Sequence, residues 1–382
     1  MNDEAHHCYR RKAGDEDVRL TGDDKREAEQ RNEEARVWIS GVEAIQRKIG
    51  VKVVYDLSAT PFFLRGSGYT EGDLFPWVVS DFSLIDAIES GIVKIPRVPI
   101  ADNAMQGPQP TYRDLWQRIR QDLPRKGRKT EAAQGEPQLP AELEGALQSL
   151  YSNYRQYEEQ WESHAEARAN GLTPPVFIVV CNNTNVSKLV FDYVSGWEKT
   201  LDDGRNILVP GALPLFGNVT DAGRWSDRPS TILVDSSQLE SGEAMSAEFK
   251  AEYRAPTGGD PEEVTDQDLL REVMNTVGKP GKLGENVKCV VSVSMLTEGW
   301  DANTVTHILG VRAFGTQLLC EQVIGRGLRR VSYATNDGGM FDPEYAEVYG
   351  VPFSFIPCSG SRKEVKRART TPRQGTRRPH CF

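Results

Sequence analysis

The sequence contains no uninterrupted apolar stretch approaching the ~18 residues that a membrane-spanning helix needs, so no helical span is expected. Its first twenty residues, MNDEAHHCYRRKAGDEDVRL, lack the apolar core of a secretory signal, and the expected location is the cytoplasm. Paired cysteines are missing too. Cys8, Cys181, Cys289, Cys320, Cys358 and Cys381 are scattered with no C-x-x-C spacing, which argues against a disulfide framework and a zinc knuckle. In a cytoplasmic chain the N-x-S/T triplets starting at Asn182, Asn185 and Asn218 have no glycan to accept. There is no surplus of positive charge: a formal net charge of −9 excludes a uniformly basic nucleic-acid coat but leaves room for a local basic cleft. No repeat of 20 to 50 residues is visible, so a solenoid is not expected.

What is present is enough chain for two domains, each with its own core: 382 residues, 38% of them apolar and 26% charged. Residues 37–49 place Val37, Ile39, Val42, Ile45 and Ile49 broadly on one helical face, followed by the β-branched run VKVVYDL, read as a buried parallel strand over 51–57 that Pro61 closes. A helix is expected around 82–90. The short strand IVKIPRVPI carries two prolines and opens into a Pro/Gly/Gln-rich stretch over 101–140, placed as a connection and insertion. Residues 141–169 read as one long polar helix. Strands are expected at 176–180, 231–235, 289–294 and 304–311, and helices at 184–196, 261–277 and 315–330. Such alternation, with near-continuous apolar strands, predicts an α/β fold whose parallel sheet is covered by helices on both faces. Residues 361–382 carry eight Arg and Lys against Glu364 alone; a disordered basic tail that binds nucleic acid and a frameshifted end both fit that composition.

Four constellations carry chemistry. Asp3-Glu4-Ala5-His6 puts two acids together, which by itself also describes a solvated turn. Ser58-Ala59-Thr60-Pro61 sets small hydroxyl residues after a predicted buried strand, where a parallel sheet places its ligand loops. Thr297-Glu298-Gly299-Trp300-Asp301 follows another such strand; Gly299 would allow backbone to approach a phosphate or sugar, and Glu298 and Asp301 would accept hydrogen bonds or face an arginine. The most specific is Gln322-Val323-Ile324-Gly325-Arg326-Gly327-Leu328-Arg329-Arg330. On a helix, Arg326 and Arg329 stand at i and i+3, so both guanidinium groups can point into one cleft. Two converging arginines suit the spread negative charge of a phosphoryl transition state, although basic residues also favour any helix C-terminus.

In this order the four elements resemble motifs II, III, V and VI of superfamily 2 helicases of the DEAH subgroup. The segments SATPFFLRGSG, SVSMLTEGWDANTVTHILGVRAFGTQLLCEQVIGRGLRR and YGVPFSFIP are similar to the motor subunit of type III restriction enzymes, and the resemblance covers most of residues 1–358. It implies tandem RecA-like domains: residues 1–100 as the C-terminal part of a first, ATP-binding domain truncated at its N-terminus, 101–140 as a linker or insertion, 141–358 as the second domain, and 359–382 as the tail. It implies ATP and Mg²⁺ as cofactors, double-stranded DNA as partner, and a methyltransferase (modification) subunit beside it. By the same resemblance Asp3 would hold Mg²⁺ through water, Glu4 would orient and deprotonate the attacking water, and His6 would couple the nucleotide to the other domain. Ser58 and Thr60 would link nucleotide state to DNA contact. Thr297, Glu298, Gly299 and Asp301 would lie near the cleft, with Asp301 positioning an arginine, while Gln322, Arg326 and Arg329 would engage the phosphates. An RNA or repair helicase of the same superfamily, and a non-catalytic nucleic-acid-binding remnant, are the competing readings.

The pattern departs from such motors in one respect. They use a G-x-x-x-x-G-K-[ST] loop to cradle the phosphates, and none occurs in the 382 residues; Gly281-Lys282-Leu283 lacks the glycine spacing and the hydroxyl residue. A fragment starting at an internal Met, with weak or no ATP turnover, is therefore expected. No cluster of acids with a lysine follows residue 331, so DNA cleavage is not expected, and the adjacent side chains of His6-His7-Cys8 make a poor zinc site.

Overall fold

The computed structural model describes residues 5, 8–9, 23–58, 63, 67–69, 75, 78–80, 82–98, 115–124, 136–201, 203–226, 228–234, 266–293, 300–314 and 317–351. They divide into two compact units, one drawn from Met1–Ser83 and the other from Leu84–Lys363. The division falls before the proline-bearing strand, whereas sequence reasoning set it after residue 100.

The first unit holds the helix α1 (Asp23–Ile49). Tyr9 donates its hydroxyl to Asn32 Oδ1 at 2.7 Å, and Phe63 stacks on Tyr69 with ring centroids 3.8 Å apart. The expected buried strand over 51–57 does not form. Ala5 donates its N–H to Leu57 O at 3.0 Å and Asp56 makes a bridge, but Val53, Tyr55 and Leu57 are 60%, 66% and 46% exposed. A β-branched run becomes a core strand when it joins a ladder whose faces are covered, and among the described residues of this unit no such ladder is present.

The second unit is a six-stranded parallel sheet. Its strands are β1 (Ile95–Arg97), β2 (Val176–Cys181), β5 (Thr231–Val234), β6 (Cys289–Ser292), β7 (Val305–Val311) and β8 (Tyr345–Tyr349), in the order β1-β8-β7-β2-β6-β5. The central strand β2, VFIVVC, is buried at all six positions because both faces are covered. Alternation sends Val176, Ile178 and Val180 to one face, against α2 (Leu84–Glu89), α7 (Asp266–Asn275) and α8 (Gln317–Gly327). It sends Phe177, Val179 and Cys181 to the other, against α3 (Leu115–Ile119), α4 (Ala141–Ser163) and α6 (Thr184–Ser195). Asn183 caps α6, its Oδ1 accepting the Val186 N–H at 3.0 Å. No helix among the described residues is long and apolar enough to cross a membrane.

Three local readings change. The stretch 141–169 is two helices, α4 and α5 (Ala165–Ala169), and α4 buries Leu143, Leu147, Leu150 and Tyr154 rather than being polar all round. It breaks at His164, where the Ser163 hydroxyl and the His164 ring both engage Gln160 O and the His164 N–H turns to Trp161 O. The helix bearing the arginines stops at Gly327, short of residue 330. Strand β8 and the antiparallel hairpin β3 (Gly196–Thr200) with β4 (Asn206–Pro210) were not expected. Gly196, at φ 110°, lets the chain pass from α6 directly into β3, where an added Cβ would lie 2.6 Å from Val219 and 2.8 Å from Val209 O.

The sheet edges carry particular residues. Thr231 on β5 donates its N–H to Asn218 Oδ1 at 3.0 Å, and its carbonyl accepts from Asn218 Nδ2 at 2.8 Å. On β1, Ile95 donates its N–H to Glu344 O at 2.8 Å, and the next residue is Pro96.

Between Val176 and Phe177 the register of β2 against β7 shifts, so that His307 stands opposite Phe177. Its ring is fully buried, parallel to Phe177 at 5.7 Å, with Nε2 2.9 Å from Asn153 Oδ1 and Nδ1 2.8 Å from Thr306 Oγ1. Burial, and then the charge of Lys94, push its pKa down to about 3. The folded chain therefore keeps His307 neutral where the unfolded chain takes up a proton. Its contribution to stability is complete above pH ~6.5 and is lost as pH falls from there toward 3, at up to ~1.4 kcal/mol per pH unit. Urea unfolding of the wild type and of His307→Gln across pH 4 to 7 should show that slope in the wild type and lose it in the variant.

Candidate functional site

The residues that sequence reasoning singled out fall into three groups. Asp3, Glu4, His6, Thr60, Thr297, Glu298 and Gly299 lie outside the described residues, as does the side chain of Gln322 on α8. Ser58 is half-buried in the first unit. Asp301, Arg326 and Arg329 lie in the second unit.

Asp301 and Arg329 form an ion pair, Nη1 to Oδ1, although 28 residues separate them in sequence. Each is an exposed residue between two buried ones. Trp300 and Ala302 are 1% exposed and sink into the face covered by α7 and α8, which turns Asp301 outward on the connection into β7. Leu328 is fully buried in the same cluster and Arg330 is 4% exposed, which turns Arg329 outward just past α8. Both sit at the amino end of β7. The other arginine, Arg326, is half-buried in the last turn of α8.

The helix reaches this position through Gly327. A Cβ there would lie 2.4 Å from Ile308 Cδ1 and 3.1 Å from Val305 Cγ1, so any side chain would force Ile308 and Val305 to shift before the last turn could lie against β7 this closely. Because α8 ends at Gly327, Arg329 is not presented by helical periodicity as expected; the buried Leu328 and the Asp301 carboxylate set its direction instead.

Arg330, adjacent in sequence, has a different task. Its Nε donates to Ser332 O at 3.0 Å, its Nη2 to Asp342 O, and it pairs with Glu344 at 3.4 Å and lies 5.2 Å from the Phe341 ring centroid. Glu344 also accepts the N–H groups of Val331 and Ser332 at 2.8 and 3.1 Å. Arg330 thus folds the chain after α8 back toward β8 and is committed to structure.

No family model and no curated protein matches the chain. The Arg329 guanidinium has five N–H donors in a fork and a neighbouring carboxylate to aim it, and about half of the side chain is open to solvent. It is a planar, permanently charged donor of the kind that suits a phosphate-like anion, and Arg326, three residues before it, is a second guanidinium in the last turn of α8. Among the described residues no group of three His, Cys, Asp or Glu is arranged to hold a metal, and the acid expected to carry Mg²⁺, Asp3, lies outside them.

One residue near this pair was missed from sequence. Lys94, 2% exposed, lies just before β1, and its Nζ donates to Asn303 O and to Val305 O, each at 2.6 Å. The signal available was a lone lysine in the apolar run GIVKIP, which sequence reasoning passed over.

An exposed ion pair contributes only ~0.2–1 kcal/mol to folding, so Asp301 and Arg329 are arranged for direction rather than stability. Asp301→Asn should shift the urea midpoint by less than the equivalent of ~1 kcal/mol, whereas Gly327→Ala, which overpacks α8 against β7, should cost ~1–3 kcal/mol. Equal losses in the two variants would mean that the ion pair is structural.

Proposed function

We propose that the chain carries the arginine-bearing half of the ATP site of a superfamily 2 motor of the type III restriction enzyme kind, a DNA translocase built on tandem RecA-like domains and working in the cytoplasm. The observation that carries this reading is the Asp301–Arg329 pair, just past the helix whose last turn holds Arg326, at one end of a parallel α/β sheet. It gives the motif order of the sequence a physical meaning. The loop after β6 supplies the acid that aims the arginine, and the segment ending α8 supplies the arginine.

In this reading Arg326, Arg329 and Gln322 would engage the phosphates of ATP, and Asp3 would hold a Mg²⁺ that neutralises part of their charge. Hydrolysis moves negative charge onto the equatorial oxygens of the transferred phosphoryl group and onto the departing diphosphate. Arg329, held in plane by Asp301, donates two N–H groups toward that charge without reorganising, and Arg326 adds a second cation. Glu4 takes the proton of the attacking water. Release of the phosphate removes the anion that the arginines hold, which couples hydrolysis to domain opening and so to a step along double-stranded DNA; Ser58, Thr60, Thr297 and Glu298 lie on the coupling path. A modification methyltransferase subunit would supply the recognition sequence.

ATP turnover by the purified chain at millimolar ATP and Mg²⁺, with duplex DNA, with RNA and with neither, tests the reading. Slow turnover raised by duplex DNA is expected, reduced about 10³-fold or more by Arg329→Ala and abolished by Glu4→Gln. Stimulation by RNA alone would move the assignment to an RNA helicase. Turnover indifferent to Arg329, or none even when a G-x-x-x-x-G-K-[ST] segment is supplied to the chain, would overturn it in favour of a non-catalytic binding module.

A further inference from the structure

A lysine buried beside the ion pair reaches both of the segments that form it. The backbone N–H of Lys94 donates to Leu328 O at 2.7 Å, one residue before Arg329. Its side chain runs inward and donates to Asn303 O and Val305 O, each at 2.6 Å, two and four residues after Asp301. The neighbouring Ile95 N–H is taken by Glu344 O, so the start of β1 is fixed on its other side as well.

Nothing about the sheet alone requires a lysine here. Leu or Met would fill the space at less cost, since burying an ammonium forfeits its hydration, and Lys94 is 98% shielded. The charged groups around it are Glu344 and Arg330, with the neutral His307 on β7, and burial lowers its pKa to about 8 despite the attraction of Glu344. An ammonium retained under such a penalty makes sense if its hydrogen bonds hold something that apolar packing would not. Both carbonyls it binds belong to the connection that carries Asp301 and to its continuation in β7, a connection also fixed by Trp300 and Ala302.

We propose that Lys94 is a positioning residue for Arg329: it ties the Asp301 connection and the end of the arginine helix to one point, and so sets the direction in which the guanidinium is presented. The functional value of that direction rests on the motor reading above; the mechanical link does not. Arg329 touches the phosphates, and Lys94 acts only through it.

The link can be read without any activity. In ¹⁵N-arginine-labelled full-length protein, restricted rotation of the Arg329 guanidinium reports its ion pair, with Asp301→Asn defining the released state and Arg329→Lys assigning the signal. Lys94→Met should raise the rotation rate about tenfold or more, close to the Asp301→Asn value, because both carbonyl bonds are lost. Lys94→Gln keeps the bulk and one donor pair without the charge, and should fall between; it decides the matter if Lys94→Met does not fold. Asn218→Ala, which removes the buried amide that binds Thr231 on the opposite edge strand β5, serves as the control for general loosening and should leave Arg329 unchanged. An Arg329 signal unaltered in Lys94→Gln, or loosened equally by Asn218→Ala, would overturn the proposal. Turnover indifferent to Arg329 would instead remove the motor reading and leave the link intact, so the two failures are distinguishable.

Discussion

A parallel sheet must be covered on both faces, and in this chain that requirement governs everything around the arginines. Because β2 has no face to give to water, its residues are apolar at every position, and helices must lie on each side of it. Crossover connections then bring successive strands in at the same end, and the polar residues that do not fit the core are expelled to the strand ends. Asp301 and Arg329 are in that position. Each is held out by buried neighbours, so their meeting follows from how Trp300, Ala302 and Leu328 pack rather than from strong mutual attraction.

The same packing separates two arginines that are adjacent in sequence. Arg330 enters the protein to bind carbonyl groups and Glu344; Arg329 stays at the surface against one carboxylate. Chemically the two residues are identical, and only the course of the backbone after Gly327 distinguishes them. Exposure leaves Arg329 most of its donors, and burial leaves Arg330 few.

Sequence reasoning located β2, β5, β6 and β7 to within a few residues, because continuous β-branched runs between turn residues have few other uses. It was weaker where tertiary context decides. The run 51–57 has the same composition as a core strand, but among the described residues it makes only a bridge at Asp56 and one bond from Ala5, and Val53, Tyr55 and Leu57 are exposed. Strand β8, YAEVY, alternates too little to stand out, and it acquires its identity from pairing with β7 on one side and β1 on the other. For the candidate site, the residue types of Asp301 and Arg329 were legible and their pairing is seen, whereas the presentation of Arg329 by a helix was not correct. Lys94 was passed over, since a lysine in an apolar run ordinarily extends its ammonium to water, and its place in GIVKIP was the one hint that this one turns inward.

The edges of the sheet have a consequence of their own. On β1 the N–H groups of Ile95 and Arg97 face β8, so the outward-facing position falls on Pro96, which has no N–H to offer. On β5 the outward N–H and carbonyl of Thr231 are both taken by the Asn218 amide, which occupies the place of a seventh strand. Among the described residues, Pro96 offers no donor at one margin and Thr231 is already satisfied at the other, which weakens each as a template for a further strand. At both described borders, strand-by-strand addition of another copy is opposed by a side chain, Pro96 on one and Asn218 on the other.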